Sequence, residues 1–127
     1  MTRITEHRLA LSDDAGDVSA VRVRPADAQC LYVFAHGAGA GMRHRFMEAS
    51  ADRLARRGVA TLRYNFPYME RGRKAPDRPP RLIEAVRAAV AEAARLEPEL
   101  PIFAGGKSMG GRMTSTAASP ETLPGVR

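Results

Sequence analysis

Residues 102–112 read Ile-Phe-Ala-Gly-Gly-Lys-Ser-Met-Gly-Gly-Arg, and they decide the fold. The apolar residues 102–104 predict a short buried strand, and residues 109–118 can form a helix that ends before Ser119 and Pro120. Between them, two glycines flank a serine in the pattern G-x-S-x-G. Average glycine and serine frequencies give this pattern by chance about 0.04 times in a chain of this length. The stretch therefore predicts a strand, a tight turn that carries a serine, and a helix.

The glycine spacing has a steric cause. For the Ser108 hydroxyl to project from a strand-to-helix turn, its backbone must be strained, and side chains two residues away would collide with neighbouring elements. Glycines at Gly106 and Gly110 remove both collisions, and Gly111 lets the helix approach the sheet closely. The free amides and the dipole of the helix N-terminus favour negative charge that develops there. The pattern therefore predicts a nucleophilic serine.

Two nucleotide-binding motifs share glycines with this sequence, and both fail. The run Gly106-Lys107-Ser108 matches the end of a phosphate-binding P-loop, but the first glycine of that motif would fall at Pro101. Residues 102–104 would also have to be a loop. The dinucleotide fingerprint fails because Met42 stands where its third small residue belongs. We therefore expect no cofactor.

A second glycine-rich loop, His36-Gly37-Ala38-Gly39-Ala40-Gly41, follows the continuously apolar residues 30–35. Such a run predicts a strand covered on both faces by helices. Where an elbow of this kind occurs, the oxyanion hole combines the amide after the nucleophile with an amide from a loop of this kind. We therefore predict that the Ala38 and Met109 amides hold the oxyanion, each contributing about 3 to 4 kcal/mol in the transition state.

The three histidines are His7, His36 and His44. His36 stands directly after the apolar strand, which suits a residue that fixes the loop by hydrogen bonds better than a catalytic base. We place His44 on the following helix and His7 on the first strand, as ordinary surface or packing residues.

The rest of the chain predicts a three-layer α/β sandwich with a mostly parallel sheet. Two amphipathic strands open it, and a strictly alternating order of strand and helix follows from residue 30. The predicted strands cover residues 4–11, 18–24, 30–35, 59–64 and 102–104, with a turn over 12–16. The predicted helices cover residues 43–57, 81–97 and 109–118, with a long loop over 65–80. In such sheets, ligands bind beyond the carboxyl ends of the strands, where both glycine-rich loops fall.

Composition excludes several classes. The 127 residues are 44% hydrophobic and 27% charged, as in globular domains. The net charge is +6, but the cations are scattered among acids, and residues 71–74 lack interleaved aromatic residues, so we do not expect nucleic-acid binding. The single cysteine, Cys30, can form neither an internal disulfide nor a zinc cage, so we expect no metal and a cytoplasmic location. Residues 1–16 lack a signal-peptide core, and we expect no membrane association.

Together these features resemble the α/β-hydrolase superfamily. The loop 36–39, the segments 64–68 and 72–76, and the elbow 106–112 resemble more narrowly the KANL/Tex-type, dienelactone-hydrolase-like domains. The resemblance covers almost the whole chain. It implies a serine hydrolase of the ester or acyl class, acting on a small molecule, with Ser108 as the nucleophile. The narrower features are Lys107, Arg112 and Asn65-Phe66-Pro67-Tyr68, which we expect at the pocket entrance.

The resemblance is incomplete after the elbow. In the superfamily an acid and then a histidine follow the serine, but no Asp or His follows Ser108, and Glu121 is too near the elbow helix for a triad acid. The strand over 102–104 would also be left at a sheet edge. We therefore interpret residues 1–127 as the N-terminal part of a single hydrolase domain whose C-terminal half supplies the base and the acid. A non-catalytic interaction module, as in a chromatin-complex relative, and an inactive fragment remain alternatives.

Overall fold

The computed structural model describes residues 1–12, 14–118, 123 and 125–127. Asp13 of the predicted turn and the acid Glu121 lie outside the described residues. In the part described, the elements in chain order are β1 (Thr2–Leu9), β2 (Val18–Pro25), β3 (Cys30–Ala35), α1 (Arg45–Arg56), β4 (Val59–Tyr64), α2 (Pro67–Glu70), α3 (Pro79–Leu96), β5 (Ile102–Gly106) and α4 (Met109–Ala117).

The strands form one mixed sheet in the order β1-β2-β4-β3-β5. β2 pairs antiparallel with β1 and with β4, whereas β3 is parallel to both β4 and β5. Helix α1 connects β3 to β4, and α3 lies between β4 and β5 in the chain. The antiparallel opening and the parallel remainder are therefore both confirmed.

Helices cover both faces of the sheet. Successive side chains of a strand point to opposite faces, so Leu62 and Tyr64 of β4 belong to the larger core cluster, which α3 and α4 cover. On the other face, Val21 and Val23 of β2 form a smaller cluster with Met42 and with two alanines of α1. This arrangement confirms the three-layer α/β sandwich.

Helix α1 begins later than predicted because His44 caps it. The predicted helix covered residues 43–57, but the His44 ring nitrogen Nδ1 accepts a hydrogen bond from the Phe46 amide at 3.2 Å, so the helix begins at Arg45. Gly58 follows with a φ of +81°, a conformation that favours glycine and ends the helix. His44 is thus a capping residue and not a member of the helix.

The predicted loop over residues 65–80 is partly helical. It contains α2, and α3 begins at Pro79 and not at residue 81. Proline suits the first helical turn because its fixed φ fits the helix and its missing N–H has no partner to lose there. The predicted end of α3 at residue 97 is also one residue too late, since Glu97 is the C-cap.

The two edge strands also differ from their predicted bounds. β1 ends at Leu9, opposite Val18, because β2 offers no partner to the two residues that follow. β5 continues through Gly106 because its two glycines pair with the end of β3. On the side of β5 that faces away from β3, only Ile102 is paired, through an isolated parallel bridge with Val126. Within the described residues, β5 is therefore an edge strand of the sheet.

Candidate active site

Ser108 lies at the turn between β5 and α4 in a strained conformation. Its φ is 53° and its ψ is −113°, and among the described residues it alone combines a side chain with a positive φ. It is the N-cap of α4, yet its side chain makes no capping hydrogen bond and the residue is exposed. A conformation of this kind costs about 1 to 3 kcal/mol. The turn therefore lowers the stability of the fold while it leaves the Ser108 hydroxyl without a capping hydrogen bond.

The glycines around Ser108 lie where side chains could not fit. A Cβ atom on Gly106 would lie 2.6 Å from the Ala35 carbonyl oxygen, and one on Gly110 would lie 2.5 Å from the His36 carbonyl oxygen. A Cβ on Gly111 would lie 2.7 Å from the Gly106 carbonyl oxygen. The elbow therefore packs directly on the end of β3, and the first turn of α4 lies against the end of β5.

The glycine-rich loop after β3 lies beside the elbow. The Lys107 amide donates to the Ala35 carbonyl at 3.0 Å. A Cβ on Gly37 would lie 3.7 Å from the Ser108 Cβ atom. Within the described part of the chain, the backbone N–H groups of Ala38 and Met109 donate no hydrogen bond. Ala38 and Gly39 are exposed, and nothing lies within 4 Å of a Cβ on Gly39. The two predicted oxyanion amides are thus without a hydrogen-bond acceptor in the described residues; Ala38 is exposed, whereas Met109 is buried.

His36 is buried under this loop with both ring nitrogens in use. Nδ1 lies 2.6 Å from the Gly37 carbonyl oxygen, and Nε2 lies 3.0 Å from the Phe66 amide nitrogen. A carbonyl only accepts, so Nδ1 carries the proton, and the neutral ring accepts the Phe66 N–H at Nε2. Burial lowers the pKa of His36, against a smaller opposing effect of the Gly37 hydrogen bond. His36 therefore has no free nitrogen with which to deprotonate Ser108.

The other two histidines are also engaged elsewhere. The His7 Nε2 atom lies 2.7 Å from the Thr5 hydroxyl on the edge strand β1. His44 caps α1, as described above. In the part of the chain that the structure describes, none of the three histidines is therefore hydrogen-bonded to Ser108.

Asn65, Phe66 and Tyr68, in the segment after β4, hold the glycine-rich loop in place. The Phe66 amide donates to His36, and the Tyr68 hydroxyl donates to the Ala38 carbonyl at 2.8 Å. The Asn65 side-chain oxygen accepts from the Met42 amide at 3.0 Å. Phe66 and Tyr68 are buried, so they support the loop from the interior of the protein. We had expected this segment at the pocket entrance. Only the narrower resemblance marked these residues; their role depends on contacts across about 30 positions of sequence.

Two carboxylates fix the bracing segment in turn. Asp77 accepts the Tyr68 amide at 2.8 Å. Glu70 accepts from Asn65 at 3.0 Å and from the Ser19 amide and hydroxyl at 2.9 and 2.7 Å, and it forms an ion pair with Arg8 at 3.0 Å. Burial would raise the pKa of Glu70, but the Asn65, Ser19 and Arg8 hydrogen bonds together lower it to about 2. Glu70 is therefore ionised at neutral pH.

The Lys107 side chain crosses the exposed side of the site. Its Nζ atom lies 5.0 Å from the centroid of the Phe46 ring on α1. A Cβ on Gly37 would lie 3.9 Å from its aliphatic chain. Lys107 and Arg112 are both exposed, and their position at a pocket entrance stays a prediction.

Ser108 is exposed and lies outside the cavity at the start of α3. A cavity of about 670 Å³ is lined by residues that include Arg73, Asp77 and Arg81, before and within the first turn of α3. Ser108 is not among its lining residues.

Among the described residues, no group of three His, Cys, Asp or Glu side chains could hold a metal ion. In the same residues, no helix has the length and apolar character needed to cross a bilayer.

The sequence pattern of the family described as "Alpha/beta hydrolase domain" matches residues 28–127, which include both glycine-rich loops and the elbow. The chain belongs to the α/β-hydrolase family. No curated protein matches the chain in sequence.

Solved structures share the fold at low sequence identity. The dienelactone hydrolase from Anabaena variabilis ATCC 29413 has a TM-score of 0.78 at 21% identity, over 95% of this chain and 60% of that one. An alpha-beta serine hydrolase homologue from Coxiella burnetii has a TM-score of 0.77 at 17% identity, over 94% and 59%. A cold-adapted esterase from an Arctic intertidal metagenomic library has a TM-score of 0.73 at 19% identity, over 96% and 58%. This α/β hydrolase chain thus spans about 60% of the length of these structures.

Proposed function

We propose that the full-length protein is a serine hydrolase of the ester or acyl class and that Ser108 is its nucleophile. The observation that carries this proposal is the strained turn that leaves the Ser108 side chain exposed beside two unused backbone amides. Strain at one residue persists only where the surrounding structure enforces it, and such residues cluster at active sites. Membership of the α/β-hydrolase family supports the same proposal.

The reaction has two displacement steps. The Ser108 Oγ atom attacks the ester carbonyl carbon and passes its proton to a base, and the carbonyl oxygen becomes an oxyanion. The Ala38 and Met109 N–H groups donate to that oxyanion. The tetrahedral intermediate then collapses: its bond to the alcohol oxygen breaks, and the alcohol leaves with the proton from the base. Water next attacks the acyl-serine in the same way, which releases the acid and restores Ser108.

The base and its acid partner belong, in this proposal, to a part of the protein outside this chain. The three histidines are held elsewhere, and the chain spans about 60% of the structures that it resembles. Among the described residues, β5 has no partner on one side apart from the bridge at Ile102, so a further strand could continue the sheet there. We place residues 1–127 in one hydrolase domain and leave the remaining pocket walls to its other part.

A small-molecule ester is the substrate class that we propose. The solved structures that resemble the chain include a protein named a dienelactone hydrolase and one named an esterase. The open surface around Ser108 leaves the acyl group and the alcohol undefined, because walls from outside the chain would complete the pocket.

Steady-state hydrolysis of p-nitrophenyl esters by the full-length protein tests this proposal. We expect turnover that Ser108→Ala abolishes and that Ser115→Ala, an exposed serine on α4, leaves unchanged. If the folded Ser108→Ala variant hydrolyses the esters as fast as the wild type does, Ser108 is not the nucleophile.

The alternative is a non-catalytic interaction module, and one observation favours it. Among the described residues, no histidine side chain is hydrogen-bonded to Ser108. A module of this kind would bind its partner equally well with Ser108→Ala, and the full-length protein would hydrolyse no ester.

A further inference from the structure

We propose that His36 and Tyr68 are positioning residues that fix the direction of the Ala38 N–H, the predicted oxyanion donor of the loop. This inference rests on the proposed function and deepens it. His36 is the first residue of the loop, whereas Tyr68 lies in α2, after the neighbouring strand β4.

The orientation of the peptide between Gly37 and Ala38 sets the direction of the Ala38 N–H. The described chain contains no cis peptide bond, and in a trans peptide the N–H points opposite to the C=O. The Gly37 carbonyl points at the buried His36 ring, 2.6 Å from Nδ1. The Ala38 N–H therefore points away from the buried ring, toward the exposed side of the loop.

The next peptide, between Ala38 and Gly39, is also held in place. The Ala38 carbonyl accepts the Tyr68 hydroxyl at 2.8 Å, and Tyr68 is only 1% exposed. Two consecutive peptides of the loop are thus held by their carbonyls from the buried side. With both planes fixed, Ala38 cannot turn its N–H without breaking a buried hydrogen bond.

The protonation state of the His36 ring is also fixed by these contacts. Nδ1 must carry the proton that it donates to the Gly37 carbonyl, and Nε2 must be unprotonated to accept the Phe66 N–H at 3.0 Å. The rings packed against His36 are Phe66 and Tyr68, with centroids at 4.9 and 6.1 Å. Tyr68 is the titratable group of the two, and burial raises the pKa of its hydroxyl, with a further rise from Asp77, so it is neutral. No charge beside the ring competes with the neutral tautomer that the loop requires.

One arm of the test does not require activity. Nitrogen-15 NMR of the full-length protein with labelled histidine reads which ring nitrogen of His36 carries a proton. We expect the proton on Nδ1 alone, unchanged from about pH 8 to about pH 5.5, a range that brackets the ordinary pKa of the side chain. A proton on Nε2, or a doubly protonated ring at neutral pH, overturns the proposal.

The second arm separates positioning from simple structural support. His36→Asn can place an amide donor near the Nδ1 position, and His36→Gln can place an acceptor near the Nε2 position. We expect Gln to lower kcat for a p-nitrophenyl ester about 100-fold, the scale for loss of one oxyanion donor, with little change in KM. We expect Asn to restore most of that loss. Equal losses in kcat for the two variants, in folded samples, overturn the proposal.

The Tyr68 hydroxyl has its own matched pair. Tyr68→Phe removes only the group that holds the Ala38 carbonyl, and we expect kcat to fall about tenfold. Tyr32→Phe is the control, because the half-buried Tyr32 hydroxyl on β3 lies against Gly105 and makes no hydrogen bond among the described residues. An unchanged kcat in Tyr68→Phe contradicts its role. If the wild type hydrolyses no ester, the proposed function fails and the NMR arm alone decides the state of His36.

Discussion

At the scale of single residues, the site depends on one strained serine and on the absence of side chains around it. Ser108 takes a φ of 53° because β5 must turn into α4 within two residues. Gly106 and Gly110 make this turn possible, since Cβ atoms there would lie within 2.6 Å of backbone oxygens at the end of β3. The G-x-S-x-G spacing was enough to predict the turn and its glycines, because this spacing is typical of a serine on a strand-to-helix turn. It did not predict which atoms the glycines contact, because Ala35 and His36 lie about 70 residues earlier in the chain.

The strain at Ser108 can be measured as stability. Replacement by Ala keeps the Cβ atom and its strain, whereas replacement by Gly removes both. The relief of about 1 to 3 kcal/mol exceeds the entropic cost of glycine, which is at most about 1 kcal/mol. We expect Ser108→Gly to be more stable than Ser108→Ala by about 1 kcal/mol in urea unfolding. A Gly variant that is the less stable of the two would show that the turn is unstrained.

The packing of the elbow on β3 gives a second prediction. Gly110→Ala would bring its Cβ to 2.5 Å from the His36 carbonyl oxygen and 2.7 Å from the Ala35 Cβ atom. Overpacking of this kind costs about 1 to 3 kcal/mol. Gly39→Ala is the matched control, because that loop position has open space and no positive φ. We expect the control to unfold within about 0.5 kcal/mol of the wild type; equal losses in both variants would contradict the close packing.

Glu70 gives a pH-dependent prediction at the same scale. Its folded pKa of about 2 lies below the ordinary value of 4.5, so its hydrogen bonds stabilise the fold above pH 4.5 and are lost as the pH falls toward 2. We expect Glu70→Gln to lower the free energy of unfolding by about 2 kcal/mol at pH 7. The difference from the wild type should shrink between these pH values in urea titrations. A difference that stays constant with pH would exclude an ionised Glu70 as its cause.

At the scale of elements, buried strands were predictable and cross-chain caps were not. The apolar runs of β3 and β4 gave their bounds correctly because both strands lie in the interior of the sheet. The His44 cap, the short helix α2 and the Tyr68 brace escaped prediction. Each depends on hydrogen bonds between single polar groups, or on tertiary contacts such as that of Tyr68 with Ala38, 30 residues away, which periodicity does not encode.

An ion-pair network joins the end of α3 to the sheet and gives an element-scale prediction. Glu97, only 8% exposed, lies 2.7 Å from Arg22 and 3.3 Å from Arg24 of β2. Its loss would leave two partly buried guanidinium groups without this partner, so we expect Glu97→Ala to cost about 3 kcal/mol in thermal or urea unfolding. Glu92→Ala, which breaks a pair with the exposed Arg95, should cost about 0.5 kcal/mol or less. Similar costs for both variants would contradict the anchoring role of Glu97.

At the scale of the whole molecule, this chain is shorter than the hydrolase structures that share its fold. The three-layer sandwich places both glycine-rich loops at the carboxyl ends of β3 and β5, which pair side by side. The chain nevertheless spans about 60% of the hydrolase structures that share its fold. The proposed nucleophile and the proposed oxyanion amides rest on local motifs within this chain. In the proposal, the base and the pocket walls come from sequence outside this chain, so no motif within it could reveal them.

We expect Ser108 to be an activated nucleophile in the full-length protein, and labelling with a fluorophosphonate probe measures this property. The probe reacts covalently with an activated serine, and trypsin cleavage after Lys107 and Arg112 isolates residues 108–112 for mass spectrometry. We expect a single adduct, on the peptide of residues 108–112. Ser108→Ala should abolish this adduct, whereas Ser115→Ala should not. A folded full-length protein that takes up no probe, or takes it up on another residue, would contradict the account.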